Sequence, residues 1–261
     1  MSEPLGVLVV GALGRMGRCV RAALESEPGL VLAAALEGKE HPEQGTRLER
    51  GVVVSDDVAA AVAASDVAID FSIPSATLAA ASAAADAGIA YVTGTTGFSP
   101  AEAESFDALG ARIPVVRAAN FSLAVNTLVW LVRAAAQRLG SDYDAEIVEL
   151  HHAAKRDAPS GTALRLADAI AEGREKAGPF VLERAGEVGV RQVGAIGVQA
   201  LRGGDNTGEH TVMFIGRGER LELVHRSQTR DHFAAGAVRA AAWLVGRPPG
   251  LYRIEQIFGW E

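Results

Sequence analysis

The sequence holds a single cysteine, Cys19, among 261 residues. One thiol forms no intramolecular disulfide and builds no thiolate cage around a metal. A reducing compartment suits such a chain. Lysine is nearly as scarce. Of 25 lysines and arginines, only Lys39, Lys155 and Lys176 are lysines. A lysine kept in so arginine-rich a background offers what guanidinium does not, a compact ammonium able to release a proton. Positive charge is short overall, with a formal net charge of −7. That argues against sequence-independent nucleic-acid binding, which needs a basic surface. A local basic pocket for a small anion stays open. No apolar run approaches the ~20 residues that span a bilayer, so no membrane partner is expected. The opening MSEPLGVLVVGALG places Glu3 where an export signal carries positive charge, and its apolar run stops at Gly11. A cytoplasmic location is expected.

Apolar residues are plentiful, at 49% against 22% charged, enough for the core of a globular protein. The first 120 residues alternate. Strand-like runs at 5–10, 30–37, 52–54, 67–71, 89–93 and 113–118 are separated by helix-like stretches at 15–27, from 56, at 75–87 and near 100–110. Short apolar strands alternating with helices predict a parallel sheet covered on both faces. The pattern then changes. A helix over 121–139 precedes strand-like runs near 144–151, 190–200, 209–215 and 220–227, with one helix at 162–172 among them. Turn signals at 202–206 and 216–218 predict an antiparallel or mixed sheet. A helix over 232–246 rejoins the first domain. The expected boundaries are 1–120 plus 231–261 for a dinucleotide-binding domain and 121–230 for an inserted domain.

The first strand runs into Gly11-Ala12-Leu13-Gly14-Arg15-Met16-Gly17. This G-x-x-G-x-x-G turn, between a strand and a helix, suits a diphosphate. The glycines allow a tight turn and close backbone approach, and the helix start directs free N–H groups at the anion. Gly11, Ala12, Leu13, Gly14, Arg15 and Met16 are the expected contacts. Glu37 closes the second strand, where an acid accepts from the adenosine ribose of NADH. Lys39, two residues on, suits the 2′-phosphate of NADPH. Both cofactors stay open. Two more strand ends, Gly94-Thr95-Thr96 and Ala118-Ala119-Asn120-Phe121, are expected beside the nicotinamide.

The densest chemistry lies at 151–164, HHAAKRDAPSGTAL. A helix starting near Ser160 would offer the first-turn amides of Gly161 and Thr162 and the Ser160 and Thr162 hydroxyls to a carboxylate. Lys155 and the histidines supply charge opposite. A ligand with two carboxylates would be held at both ends. Adjacent strand residues face opposite ways, so His151 and His152 cannot both meet one ligand head-on. Arg156 reads as a solvated charge and His210 as structural. No metal site is expected, because the helical H-E-x-x-H pattern is absent.

This segment resembles the signature of the 4-hydroxy-tetrahydrodipicolinate reductase (dihydrodipicolinate reductase) family. The glycine loop, GTTG at 94–97, AANFS at 118–122, GEHTVMF at 208–214 and FAAGAVRAAAWL at 233–244 extend the resemblance over nearly the whole chain. It implies an α/β fold, a Rossmann-like parallel-sheet domain with an inserted α+β mixed-sheet domain. It implies hydride transfer from NADH or NADPH to an unsaturated six-membered ring bearing two carboxylates, in diaminopimelate and lysine biosynthesis. On matching positions it makes His151 the proton donor/acceptor and Lys155 a second proton donor. His152, Lys155, Gly161 and Thr162 would hold the substrate. It also implies a homotetramer joined through the sheets of the inserted domain. One departure stands out: family members often carry Arg directly after the acid of the second strand, and here Gly38 stands there with Lys39 next. The rival readings are an amino-acid dehydrogenase on the same cofactor domain and a non-catalytic nicotinamide sensor.

Overall fold

Period-two burial divides the first strand between two cores. Val7 and Val9 join one apolar cluster, and Leu8 and Val10 join another. A strand buried on both faces belongs inside a layered sheet. The computed structural model, which describes residues 3–260, shows that sheet. Its elements begin β1 (Leu5–Val10), α1 (Arg15–Glu25), β2 (Leu30–Leu36), β3 (Val54–Ser55), α2 (Val58–Ala63) and β4 (Val67–Asp70). They continue with α3 (Pro74–Ala87), β5 (Ala90–Thr93), α4 (Pro100–Asp107) and β6 (Pro114–Arg117). A second unit holds α5 (Leu123–Leu139), β7 (Asp144–His151), α6 (Gly161–Gly173), β8 (Phe180–Val181), β9 (Ile196–Arg202), β10 (Gly208–Ile215) and β11 (Arg220–Ser227). The chain then returns with α7 (Asp231–Leu244), β12 (Gly250–Tyr252) and α8 (Ile254–Phe258).

Contacts divide the chain into two compact units. One runs to Ser122 and resumes at Arg230, and the other is Leu123–Thr229. In the first, seven parallel strands lie in the order β12-β6-β5-β4-β1-β2-β3. Residues of α1 and α7 pack on the face of Val7, Val9 and Ile69, and residues of α2 and α3 on the face of Leu8, Ala68 and Tyr91. Gly236 lets α7 seat closely, since a Cβ there would stand 1.9 Å from the Phe121 carbonyl oxygen.

In the second unit the order is β11-β10-β7-β9-β8. β7 runs antiparallel to β10 and parallel to β9, so the sheet is mixed. Alternation along DAEIVELH turns Ala145, Ile147, Glu149 and His151 to the buried face. There Ile147, Ile196, Val212 and Phe214 pack with Leu166 and Ile170 of α6 and Val132 of α5. The run expected from 190 becomes a strand only at Ile196, after Gly194 at φ +78°. β8, β12 and α8 have too few residues to show a period, and sequence pattern missed them.

Candidate active site

Gly11 sits at φ +73°, a backbone state that costs glycine nothing. A Cβ at Gly17 would lie 2.1 Å from the Gly11 carbonyl oxygen, so glycine there lets α1 begin against the loop. The result is the narrow strand-to-helix turn that fits a diphosphate. Ala12 and Leu13 turn their side chains into the core, leaving backbone for a ligand, while Gly14 and Arg15 are exposed and Met16 is half-buried. Glu37 is half-buried, and its carboxylate accepts from the Leu13 N–H and the Gly38 N–H, both at 3.0 Å. The acid at the end of β2 thus stands beside the glycine turn. Lys39 is exposed. Val10, Gly11, Glu37, Asp56, Ser72 and Ala76 help line a cavity of about 130 Å³ at these strand ends.

The other two strand ends hold a surprise. The Thr95 hydroxyl, expected at the nicotinamide, points inward. It stands 3.0 Å from the Ser72 N–H and from the Thr77 hydroxyl, and 3.4 Å from Asp70 Oδ1. Thr96 beside it is exposed, and Gly94 lies against the Phe71 ring, where a Cβ would come within 2.0 Å. Phe121 is likewise buried, its ring edge-on to Phe71. Ala118 and Asn120 are half-buried and Ala119 exposed. The Asn120 carboxamide oxygen accepts from the Ser122 N–H at 2.8 Å.

In the second unit, His151 ends β7, buried on the inner face, and His152 follows the strand, half-buried. The His151 Nδ1 is 2.5 Å from Glu149 Oε2. Glu149 also accepts two bonds from Arg202, at 2.7 and 2.9 Å, and one from the Ser160 N–H at 2.9 Å. Sequence reasoning missed both Glu149 and Arg202. The signal was there for Glu149, a carboxylate in register with Ala145 and Ile147 on a buried strand face. Arg202 stands opposite His151 in the parallel ladder and also donates to the Asp157 carbonyl at 2.7 Å. It ties the loop carrying Lys155 to the strand carrying His151. The Lys155 ammonium donates to both oxygens of Asp157 at 2.9 Å.

Ser160 is 2% exposed, and its hydroxyl accepts from the Ala163 N–H at 3.1 Å and meets His210 Nε2 at 3.1 Å. It caps α6. Gly161 is exposed in the first turn of α6 and Thr162 is half-buried beside it.

Burial lowers the His151 pKa below its usual value, and Lys155 and Arg202 add to the effect while Glu149 opposes it. Burial alone would raise the Glu149 pKa. Its hydrogen bonds from Arg202, His151 and Ser160 prevail and hold it low. No group of three His, Cys, Asp or Glu among the described residues is placed to hold a metal, and no helix there is long and apolar enough to cross a membrane.

Comparison with known proteins covers both units. Residues 5–121 match the family model for the N-terminus of dihydrodipicolinate reductase, and residues 124–258 match that for its C-terminus. The 4-hydroxy-tetrahydrodipicolinate reductase of Anaeromyxobacter dehalogenans strain 2CP-1 is 46% identical, over 97% of each chain. That of Halorhodospira halophila is 45% identical, over 98% of this chain and 99% of its own. Among solved structures, dipicolinate-bound dihydrodipicolinate reductase from Paenisporosarcina sp. TG-14 shares the fold, with a TM-score of 0.79 at 23% identity, covering 96% of this chain and 98% of its own. Two family halves in order, and relatives alike from end to end, establish that the chain belongs to the dihydrodipicolinate reductase family.

Proposed function

We propose that this chain reduces 4-hydroxy-tetrahydrodipicolinate, by way of dihydrodipicolinate, to tetrahydrodipicolinate in diaminopimelate and lysine biosynthesis. The observation that carries this is the tie between His151 and the start of α6: one buried carboxylate, Glu149, bonds both His151 and the Ser160 amide. A potential proton donor and a helix start are thereby fixed to one another.

The first unit binds the dinucleotide. The Gly11–Met16 turn takes the diphosphate, and backbone at Gly94–Thr96 and Ala118–Phe121 takes the nicotinamide end. When bound, the reduced nicotinamide supplies a hydride. Glu37 offers an acceptor to the ribose hydroxyls of NADH, and Lys39 an ammonium to the 2′-phosphate of NADPH. The enzyme uses both.

The second unit holds the substrate. The first-turn amides at Gly161 and Thr162 take one carboxylate, a seat worth about 0.3–1 kcal/mol from the helix dipole. Lys155 and His152 face the other. Hydride addition to an electron-poor C=C–C=N system builds negative charge that a nearby acid must quench. His151 donates through its imidazolium, and Lys155 is the second donor. A dianion arriving at Lys155 competes with Asp157 for the ammonium. The outward face of the mixed sheet exposes Leu201, Ile215 and Val224, which supports a homotetramer assembled through that face. The enzyme works in the cytoplasm.

The test is turnover. The condensation product of pyruvate and aspartate semialdehyde is made in situ, and loss of NADH or NADPH absorbance is followed. Turnover with that substrate, and none with oxaloacetate plus ammonia, is expected. The reverse pattern would make the chain an amino-acid dehydrogenase, and nucleotide binding without turnover of either would make it a sensor.

A further inference from the structure

A carboxylate wholly out of water is costly unless it is paired and fully hydrogen-bonded. Glu149 is 0% exposed. It meets the requirement with four partners: both terminal nitrogens of Arg202, the Ser160 amide and His151 Nδ1. Arg202 grips it in the bidentate fork that fixes a carboxylate's plane as well as its place. His210 stands directly opposite Glu149 on the antiparallel neighbour, its ring edge-on to that of His151 at 5.3 Å.

We propose that Glu149 is a positioning residue for the reaction, holding His151 with its proton on Nδ1 so that Nε2 is the nitrogen that carries and delivers the transferred proton. An ionised carboxylate only accepts hydrogen bonds, so the 2.5 Å contact requires a hydrogen on Nδ1. Nε2 is then bare in the neutral ring and protonated in the imidazolium. Delivery breaks the Nε2–H bond, forms a bond from that proton to the substrate, and returns the ring to its Nδ1–H form. Glycine at 208 leaves room at this nitrogen, since a Cβ there would stand 2.8 Å from Nε2. Four titratable or charged groups act on or touch the ring: Glu149 on β7, Lys155 in the following loop, Arg202 on β9 and His210 on β10, while Asp157 pairs with the Lys155 ammonium. Burial, Lys155 and Arg202 all disfavour the imidazolium, and Glu149 favours it. Glu149 therefore sets the tautomer and keeps the proton available near neutral pH.

This inference rests on the proton-donor role given to His151 above, and its first test needs no turnover. In wild-type protein labelled with 15N-histidine, with the His151 signals identified by their loss in His151→Gln, the ring nitrogens report the tautomer directly. The Nδ1–H form is expected, and an Nε2–H form with bare Nδ1 overturns the proposal. In Glu149→Gln, the high-pH limb of the kcat/KM profile is expected to move down by about one pH unit. That is about a tenfold loss above the limb, with activity at low pH kept within about threefold. A loss uniform in pH would mean that Glu149 serves only structure. Should Glu149→Gln not fold, Glu149→Asp keeps the charge, draws it back from Nδ1 and is expected to move the same limb the same way. Absence of wild-type turnover would sink the proposed function and leave the tautomer result standing.

Discussion

Ser160 and His210 lie 50 residues apart in sequence, yet the serine Oγ stands 3.1 Å from the histidine Nε2. The contact joins the cap of α6 to β10. Burial pushes the His210 pKa down to about 3, with His151 and Lys155 adding to the effect. An unfolded histidine titrates near 6.5. Between those values the unfolded chain binds the extra proton, so this histidine's contribution to stability is complete above about pH 6.5. It is lost as pH falls toward 3, by up to ~1.4 kcal/mol per pH unit. Melting temperatures of wild type and His210→Asn from pH 4 to 8 check this. The wild type should lose more stability than the variant on acidification, and parallel curves would contradict it.

Gly17 and Gly14 make a matched pair. A Cβ at Gly17 would stand 2.1 Å from backbone, whereas at Gly14 the nearest atom is 3.2 Å away. Gly17→Ala should therefore cost stability, on the order of 1–3 kcal/mol from overpacking, and weaken NADH and NADPH alike. Gly14→Ala should melt near wild type and lose mainly nucleotide affinity. Thermal melts and nucleotide titrations distinguish them.

Lys39 is exposed, two residues beyond the acid at the end of β2. Lys39→Ala should raise KM for NADPH by about fivefold, roughly the 1 kcal/mol of a solvated charge pair. KM for NADH should be unchanged. Equal effects on both would remove the 2′-phosphate from its role.

The His151 pKa is depressed in the free protein, chiefly by burial. A doubly negative ring beside it restores the charged form. Titration with pyridine-2,6-dicarboxylate near pH 7 should therefore take up protons. Calorimetry in buffers of differing ionisation enthalpy reads this uptake as a buffer-dependent heat, and equal heats would contradict it.

Sequence pattern carried most of the layout because the parallel strands are short, apolar and separated by helices. DAEIVELH shows its buried face in its own alternation. What alternation does not show is the partner strand. Arg202 meets Glu149 only because β9 pairs with β7 in a register that places it opposite His151, and that pairing is set by distant packing. The partners of the Thr95 and Ser160 hydroxyls were not legible for a related reason. Each hydroxyl sits at an element end where a ligand or a neighbouring backbone group can take it. Here buried Asp70 claims the first, and the α6 cap and His210 claim the second.

Lys155 offers the most direct measurement. Lys155→Arg keeps the positive charge and the reach toward Asp157 and a carboxylate, but guanidinium is a poor proton donor. Steady-state turnover of the in situ condensation product should fall by about 10²-fold or more in kcat, the scale of a lost general acid. Affinity for pyridine-2,6-dicarboxylate should stay within about threefold. Full kcat in that variant would contradict proton donation by Lys155 and the division of labour built on it.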